Sequence, residues 1–102
     1  MRTPEKIEKD KIDAYLTEIG AFVVKPATYG YGISGNPDRV CCVAGRFFAI
    51  EVKREGKEPT PLQWRRMREV EAAGGQAMWG TAAKVIPEIE AWLKKFAFGG
   101  PL

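Results

Sequence analysis

Within residues 35–63, "GNPDRVCCVAGRFFAIEVKREGKEPTPLQ", four side chains could do chemistry: Asp38, Glu51, Lys53 and Gln63. Glu51 and Lys53 close an apolar run, "RFFAIEVK". In a strand they leave the same face, roughly 7 Å apart. That face begins with Phe47 and Ala49, so the polar pair stands where it leaves the core, as at a cleft on a sheet edge. A carboxylate and an ammonium near a core are costly unless paired or ligated. Asp38 lies just before the preceding strand. A hairpin turn at Ala44 and Gly45 would bring it across from Glu51 near the open end of the pair.

Two carboxylates so placed suit a hard divalent cation such as Mg²⁺. Such an ion polarises a scissile phosphate and lowers the pKa of a bound water. Lys53 would offset charge developing on the phosphate or orient the nucleophile. Gln63 shares a helix face with Met67 and Val70 and should face the sheet. Glu8 shares a face with Ile12, Tyr15 and Ile19 and is a candidate to bind metal or hold a metal water; Glu5, one turn earlier, is its rival.

Each feature has a plainer reading. E-x-K pairs are common in exposed strands. Asp38 after Pro37 suits a turn. Gln63 could complete a capping box with Thr60, and Glu8 could be ordinary helix surface. Tyr29 and Tyr31 in "YGYGISG" either meet DNA or a second subunit, or anchor their own loop. The glycines there lack the strand-to-helix context of a phosphate-binding loop, which argues against a nucleotide cofactor. Lys53, Arg54, Lys57, Arg65, Arg66 and Arg68 crowd together, and the net charge is +3. That permits a nucleic-acid partner without demanding one, since a solvated surface reads the same way.

The elements that must position these residues follow from periodicity. Residues 5–19 read as a helix, with Ile12, Tyr15, Leu16 and Ile19 at spacings of three and four. Residues 21–25 read as a short strand. Three glycines and two prolines make residues 26–37 a loop. Strands follow at 39–44 and 46–54, the second apolar on both faces and so covered on both sides. Thr60 caps a helix that begins with Pro61 and runs to about residue 73. Residues 76–80 read as a fourth strand. A last helix is expected over 87–97, opening on Pro87, with Ile89, Trp92, Leu93 and Phe96 on its apolar stripe. The order α-β-β-β-α-β-α predicts an α/β fold, a small mixed sheet flanked by helices, in one domain over residues 1–102.

Composition excludes some chemistry. The chain has no histidine and no C-x-x-C pair, which argues against a zinc site, a histidine triad or a thioredoxin-like centre. Cys41 and Cys42 are adjacent and point to opposite faces of a strand, so they are poor partners for a disulfide. No apolar run approaches membrane-spanning length and no signal-peptide pattern is visible, so a cytoplasmic, reducing location without membrane attachment is expected.

Taken in order, "GNPD", "IEVK" and "PTPLQ" resemble the PD-(D/E)XK nuclease signature, and the match is closer to its VRR-NUC (virus-type replication-repair nuclease) branch. "EKIEKDKIDAYL", "GAFVVKP" and "SGNPDRVCCVAGRFFAIEVKREGKEPTPLQ" follow that pattern over about residues 5–80. Asn36 stands where the family usually has a small aliphatic residue. The resemblance implies a restriction-endonuclease-like core. It implies Asp38, Glu51 and Lys53 as the centre of a metal-dependent phosphodiesterase, Gln63 as the supporting glutamine and Glu8 as the first-helix acid. Stand-alone members occur in phages and phage-like regions, and some resemble Holliday-junction resolvases in fold and dimeric build.

Resemblance and residue geometry together lead to an expected Mg²⁺- or Mn²⁺-dependent endonuclease acting on duplex or branched DNA. Asp38, Glu51 and the Val52 carbonyl would hold the metal, and Glu8 a metal water or second ion. Lys25, Arg65, Arg66 and Arg68 would contact phosphates. One centre per chain and two cuts per junction make a homodimer the expectation, with Phe96, Phe98 and Leu102 available to its interface. The alternative is a DNA-binding protein with a vestigial nuclease site.

Overall fold

A computed structural model of the chain describes residues 2–27 and 35–97. Tyr29, Tyr31, Phe98 and Leu102 lie outside the described residues. The order is α1 (Pro4–Glu18), β1 (Phe22–Val24), β2 (Arg39–Val43), β3 (Arg46–Val52), α2 (Pro61–Ala72), β4 (Gln76–Gly80) and α3 (Ala82–Ala97). This is the predicted α/β topology. The four strands form one mixed sheet in the order β1-β2-β3-β4. β1, β2 and β3 pair antiparallel, while β3 and β4 pair parallel. A parallel pair cannot be joined by a tight turn, and α2 supplies the crossover.

The β2–β3 turn is the expected one at Ala44 and Gly45. Both residues have positive φ, 50° and 76°, as the favoured two-residue hairpin turn requires. Glycine accepts that conformation freely, whereas alanine in the left-handed region costs about 1 kcal/mol. Ala44→Gly should therefore raise the melting temperature by about 4–8 °C in a circular-dichroism melt.

Alternation along β3 separates two environments. Phe48, Ile50 and Val52 join Ile12 and Leu16 of α1, Met78 of β4, and Val85 and Ile89 of α3 in one buried cluster. Burying each such side chain contributes roughly 1.5–3 kcal/mol. On the opposite face Ala49 and Glu51 are also buried, under α2, whose Gln63 reaches Glu51. β3 is thus covered on both faces from Phe48 onward. Phe47, at the start of β3, departs from that expectation and is 45 % exposed; it lies beside Gly75, where the chain has already left α2. Phe22 and Val24 on β1 are exposed as well.

α3 starts at Ala82, five residues before the expected Pro87, which lies inside the helix. The start is set by Thr81, whose hydroxyl accepts from Lys84 N at 3.3 Å and whose carbonyl accepts from Val85 N at 2.8 Å. Pro87 removes only the helical bond to the carbonyl of Ala83, an exposed residue that water can serve. Phe96 packs against Trp92, with ring centroids 5.4 Å apart, under the Arg46 guanidinium. Among the described residues no helix is long and apolar enough to cross a membrane.

Candidate active site

Extending the Arg39↔Ile50 register by one residue sets Asp38 opposite Glu51. Asp38 lies beyond the last paired residue of β2, and its side chain continues the ladder. Asp38 Oδ2 accepts from Val52 N at 2.8 Å, while Oδ1 faces Lys9 Nζ at 3.5 Å. Lys9 in turn lies 3.5 Å from Glu5 Oε2, one helical turn away. The backbone carrying Asp38 is fixed from behind. Arg39, 6 % exposed, donates to Asp38 O at 2.8 Å and grips both carboxylate oxygens of Asp13 on α1 at 2.7 and 3.0 Å.

Glu51 is 3 % exposed. Its Oε2 accepts from Gln63 Nε2 at 3.1 Å and lies 3.9 Å from Lys53 Nζ. Its Oε1 is buried and accepts no hydrogen bond. Burial first, then the Asp38 carboxyl as hydrogen-bond partner and as like charge, push the Glu51 carboxyl up to about 9. Lys53 pulls the other way, and Glu5 adds a weaker upward push. Without a cation Glu51 therefore holds a proton at neutral pH, stabilised by its carboxyl neighbour.

Gln63 makes two sets of contacts. Its backbone N–H donates to Thr60 Oγ1 at 3.2 Å and its Oε1 accepts from Thr60 N at 2.9 Å, closing a capping box. The other end of the same amide donates to Glu51. The helix cap thus aims the glutamine at the carboxylate.

Other candidates lie elsewhere. Glu8, expected at the metal, sends Oε1 to Ala82 N at 2.8 Å. An unpaired N–H at a helix start favours a carboxylate, and α3 begins there. Glu5 is the first-helix acid whose field reaches Glu51. Lys25 is exposed but lies 3.2 Å from Asp13 Oδ2. Arg66 donates to Asn36 Oδ1 at 3.0 Å and pairs with Glu69, which also lies 3.8 Å from Arg65. The Asn36 contact fixes the approach to Asp38 from α2. Gly35 beside it packs so closely on Leu62 that an added Cβ would lie 2.8 Å from Leu62 Cγ. Arg65 and Arg68 are exposed.

Sequence reasoning missed Lys9, the Arg39–Asp13 pair and the Asn36–Arg66 contact. Lys9 was findable as the i,i+4 partner of Glu5; the other two link distant elements and leave no local signal. Cys41 is buried and free, its thiol pushed up to about 12 mainly by burial, and so stays unreactive at neutral pH.

Two oxygen-rich side chains facing each other, one oxygen lacking any donor, fit a hard cation. The fit is limited in one respect. Among the described residues no group of three or more His, Cys, Asp or Glu side chains is gathered as a metal cluster.

No protein-family model and no curated protein matches the chain. Solved structures do. One described as a VRR_NUC domain aligns with 86 % of this chain and 96 % of its own, at a TM-score of 0.74 and 25 % identity. A second, a VRR_NUC domain protein, covers 85 % of this chain and 88 % of its own, at a TM-score of 0.60 and 20 % identity, where the likeness is one of fold. Over most of its length the chain is a structural homologue of the VRR_NUC domain, with its PD-(D/E)XK-like fold.

Proposed function

We propose that the chain is a divalent-cation-dependent deoxyribonuclease that hydrolyses phosphodiester bonds, selective for branched or junction DNA and working as a homodimer. The observation that carries this reading is Glu51: a buried carboxyl with a donorless oxygen, beside a second carboxyl, on a strand that could have ended in apolar residues. Keeping such a carboxyl protonated at neutral pH, or ionised without a partner, costs stability, and a cation would offset it.

Asp38 and Glu51 would hold Mg²⁺ or Mn²⁺, with the Val52 carbonyl as a further ligand. Bound there, the ion would polarise the phosphate and make a water more acidic. Lys53 positions the attacking water and offsets charge developing on the phosphate. Gln63 holds the Glu51 carboxylate in one orientation. Lys9 balances Asp38 before the ion arrives, and Glu5 is better placed than Glu8 to act from α1. Arg65 and Arg68 contact backbone phosphates, with Arg66 and Lys25 adding charge at their ion pairs. The homodimer supplies the second cut. The exposed Phe22 and Phe47 flank Cys42 across β1, β2 and β3, a surface that suits a second copy.

A second reading, a DNA-binding protein whose nuclease site is vestigial, is favoured by the ligand count. The described residues gather two carboxylates and no third ligating side chain, and on that count alone it has the better support. The deciding experiment is cleavage of linear, nicked, flapped and four-way DNAs with Mg²⁺ and Mn²⁺. Cation-dependent cleavage supports the enzyme. Binding without cleavage in either metal leaves the second reading.

The proton on Glu51 gives a pH signature. Cation binding must expel it, so Mn²⁺ affinity should rise about tenfold per pH unit through neutrality and level off near the raised value of about 9. Calorimetry in buffers of different ionisation enthalpy should count about one proton released per ion at neutral pH; no release would contradict the arrangement.

A further inference from the structure

Trp79 is a second feature of the sheet edge that the chemistry at Glu51 does not use. It pairs with Glu51 across β3 and β4, so both side chains leave the same face from backbones about 5 Å apart. β4 is one of the two edge strands of the sheet. The Trp79 ring stands edge-on to Trp64, with centroids 5.7 Å apart, and Lys84 covers it. Lys84 Nζ lies 4.0 Å from the ring centroid and 2.6 Å from Trp79 O.

Two cavities meet at this ring and lysine. One, about 440 Å³, runs between α2 and α3 past Trp64, Trp92 and Lys95. The other, about 380 Å³, is lined by Arg54 and Lys57 as well as Lys84, with Glu55 and Glu58 as its acids. Arg54 directly follows Lys53, and Lys53 N donates at 2.9 Å to the carbonyl of Gly80, which lines the second cavity.

A flat ring capped by a partly exposed ammonium is a surface that can exchange its partner. A nucleobase offers a π-face for the ring, and the phosphate beside it offers an anion for the released lysine. In a closed duplex the bases are stacked and paired and cannot reach such a ring, whereas an unpaired nucleotide can. We propose that Trp79 is a stacking platform for an unpaired nucleotide next to the bond held at Glu51 and Lys53, and that Lys84 moves from the ring to a neighbouring phosphate when the base arrives. The occupant is a single-stranded DNA segment. Lys84 also pairs with Glu88 at 3.6 Å; across the two cavities four basic residues, Arg54, Lys57, Lys84 and Lys95, stand against three acids, Glu55, Glu58 and Glu88, a balance that favours an anionic strand. This rests on the nuclease reading and narrows its substrate to DNA with an unpaired segment at the cleavage site.

The test is binding without any divalent cation, so that cleavage does not enter. A short duplex with a single-stranded thymidine tail is compared with the same duplex whose tail is abasic. The wild type should lose about 5- to 150-fold in affinity when the bases are removed. Trp79→Ala should bind the normal tail as weakly as the wild type binds the abasic one, and should not distinguish the two tails. Both proteins should bind blunt duplex equally. Equal wild-type affinity for the two tails, or full discrimination retained by Trp79→Ala, overturns the proposal. If Trp79→Ala does not fold, Trp79→Phe carries the test: its smaller ring should weaken the discrimination, and unchanged discrimination would count against the platform. Tail discrimination without cleavage in Mg²⁺ or Mn²⁺ would remove the nuclease reading and leave the groove. Cleavage without tail discrimination would remove the groove alone.

Discussion

Glu51→Gln should lower DNA cleavage by at least about 10²–10³-fold while leaving DNA affinity unchanged and the apo protein more stable. The substitution keeps the shape and the Lys53 neighbourhood but removes a charge-bearing oxygen from the proposed cation site. It also gives Asp38 a permanent amide donor in place of a carboxyl that can donate only while it keeps its proton. The sign of the stability change follows from the raised Glu51 carboxyl. The unfolded chain ionises near the ordinary 4.5 and the folded one near 9, so over that window the folded state holds the extra proton. Wild-type stability is then full below about 4.5 and falls as pH rises toward 9. Glutamine does not titrate, so the variant should lack this decline and melt roughly 4 °C or more above the wild type near pH 8 without metal. Lost cleavage with gained stability marks a functional strain; lost cleavage with lost stability would mean Glu51 is structural. Lys53→Ala should lose cleavage on a similar scale and give no such gain.

Arg39→Ala should cost about 3–5 kcal/mol of stability, lowering the melting temperature by more than about 12 °C. The guanidinium holds Asp13 through two hydrogen bonds and Asp38 O through a third. Burial disfavours the Asp13 charge, but the hydrogen bonds and field of Arg39, then of Lys25, outweigh it and keep the carboxyl below its ordinary 3.8. Removing Arg39 leaves a carboxylate facing a core edge with only Lys25 beside it. A lowered carboxyl stabilises the fold above its unfolded value and loses that contribution as pH falls through the folded one. The gap between wild type and variant should therefore narrow on acidification below 3.8. Arg39→Met together with Asp13→Leu should recover much of the loss, because the cost lies in the unpaired charge. Equal thermal stability of wild type and Arg39→Ala would show that the pair does not anchor α1 to β2.

What could be read beforehand was whatever depends on local pattern. Alternation in "RFFAIEVK" put Glu51 and Lys53 on one face, and the turn at Ala44 and Gly45 fixed the register that brings Asp38 opposite Glu51. Thr60, Pro61 and Gln63 announced α2, and the same glutamine reaches the carboxylate. The miss at α3 had a consequence. Pro87 looked like a helix start, so the N–H groups at Ala82 went unseen and Glu8, correctly read as facing inward, had no visible partner but a metal. Its partner is Ala82 N. Arg39, Asp13 and Asn36 acquire their roles from contacts across 26 to 30 residues, which no periodicity encodes. Trp79 meets Glu51 only because β4 pairs parallel in one register.

The central claim is that the Asp38 and Glu51 carboxylates share a divalent cation. Anomalous diffraction from crystals grown with Mn²⁺ above neutral pH tests it most directly. The account predicts a manganese peak between the two side chains, with Lys9 withdrawn from Asp38. Two carboxyls still bridged by a proton at saturating Mn²⁺, with no peak between them, would contradict it.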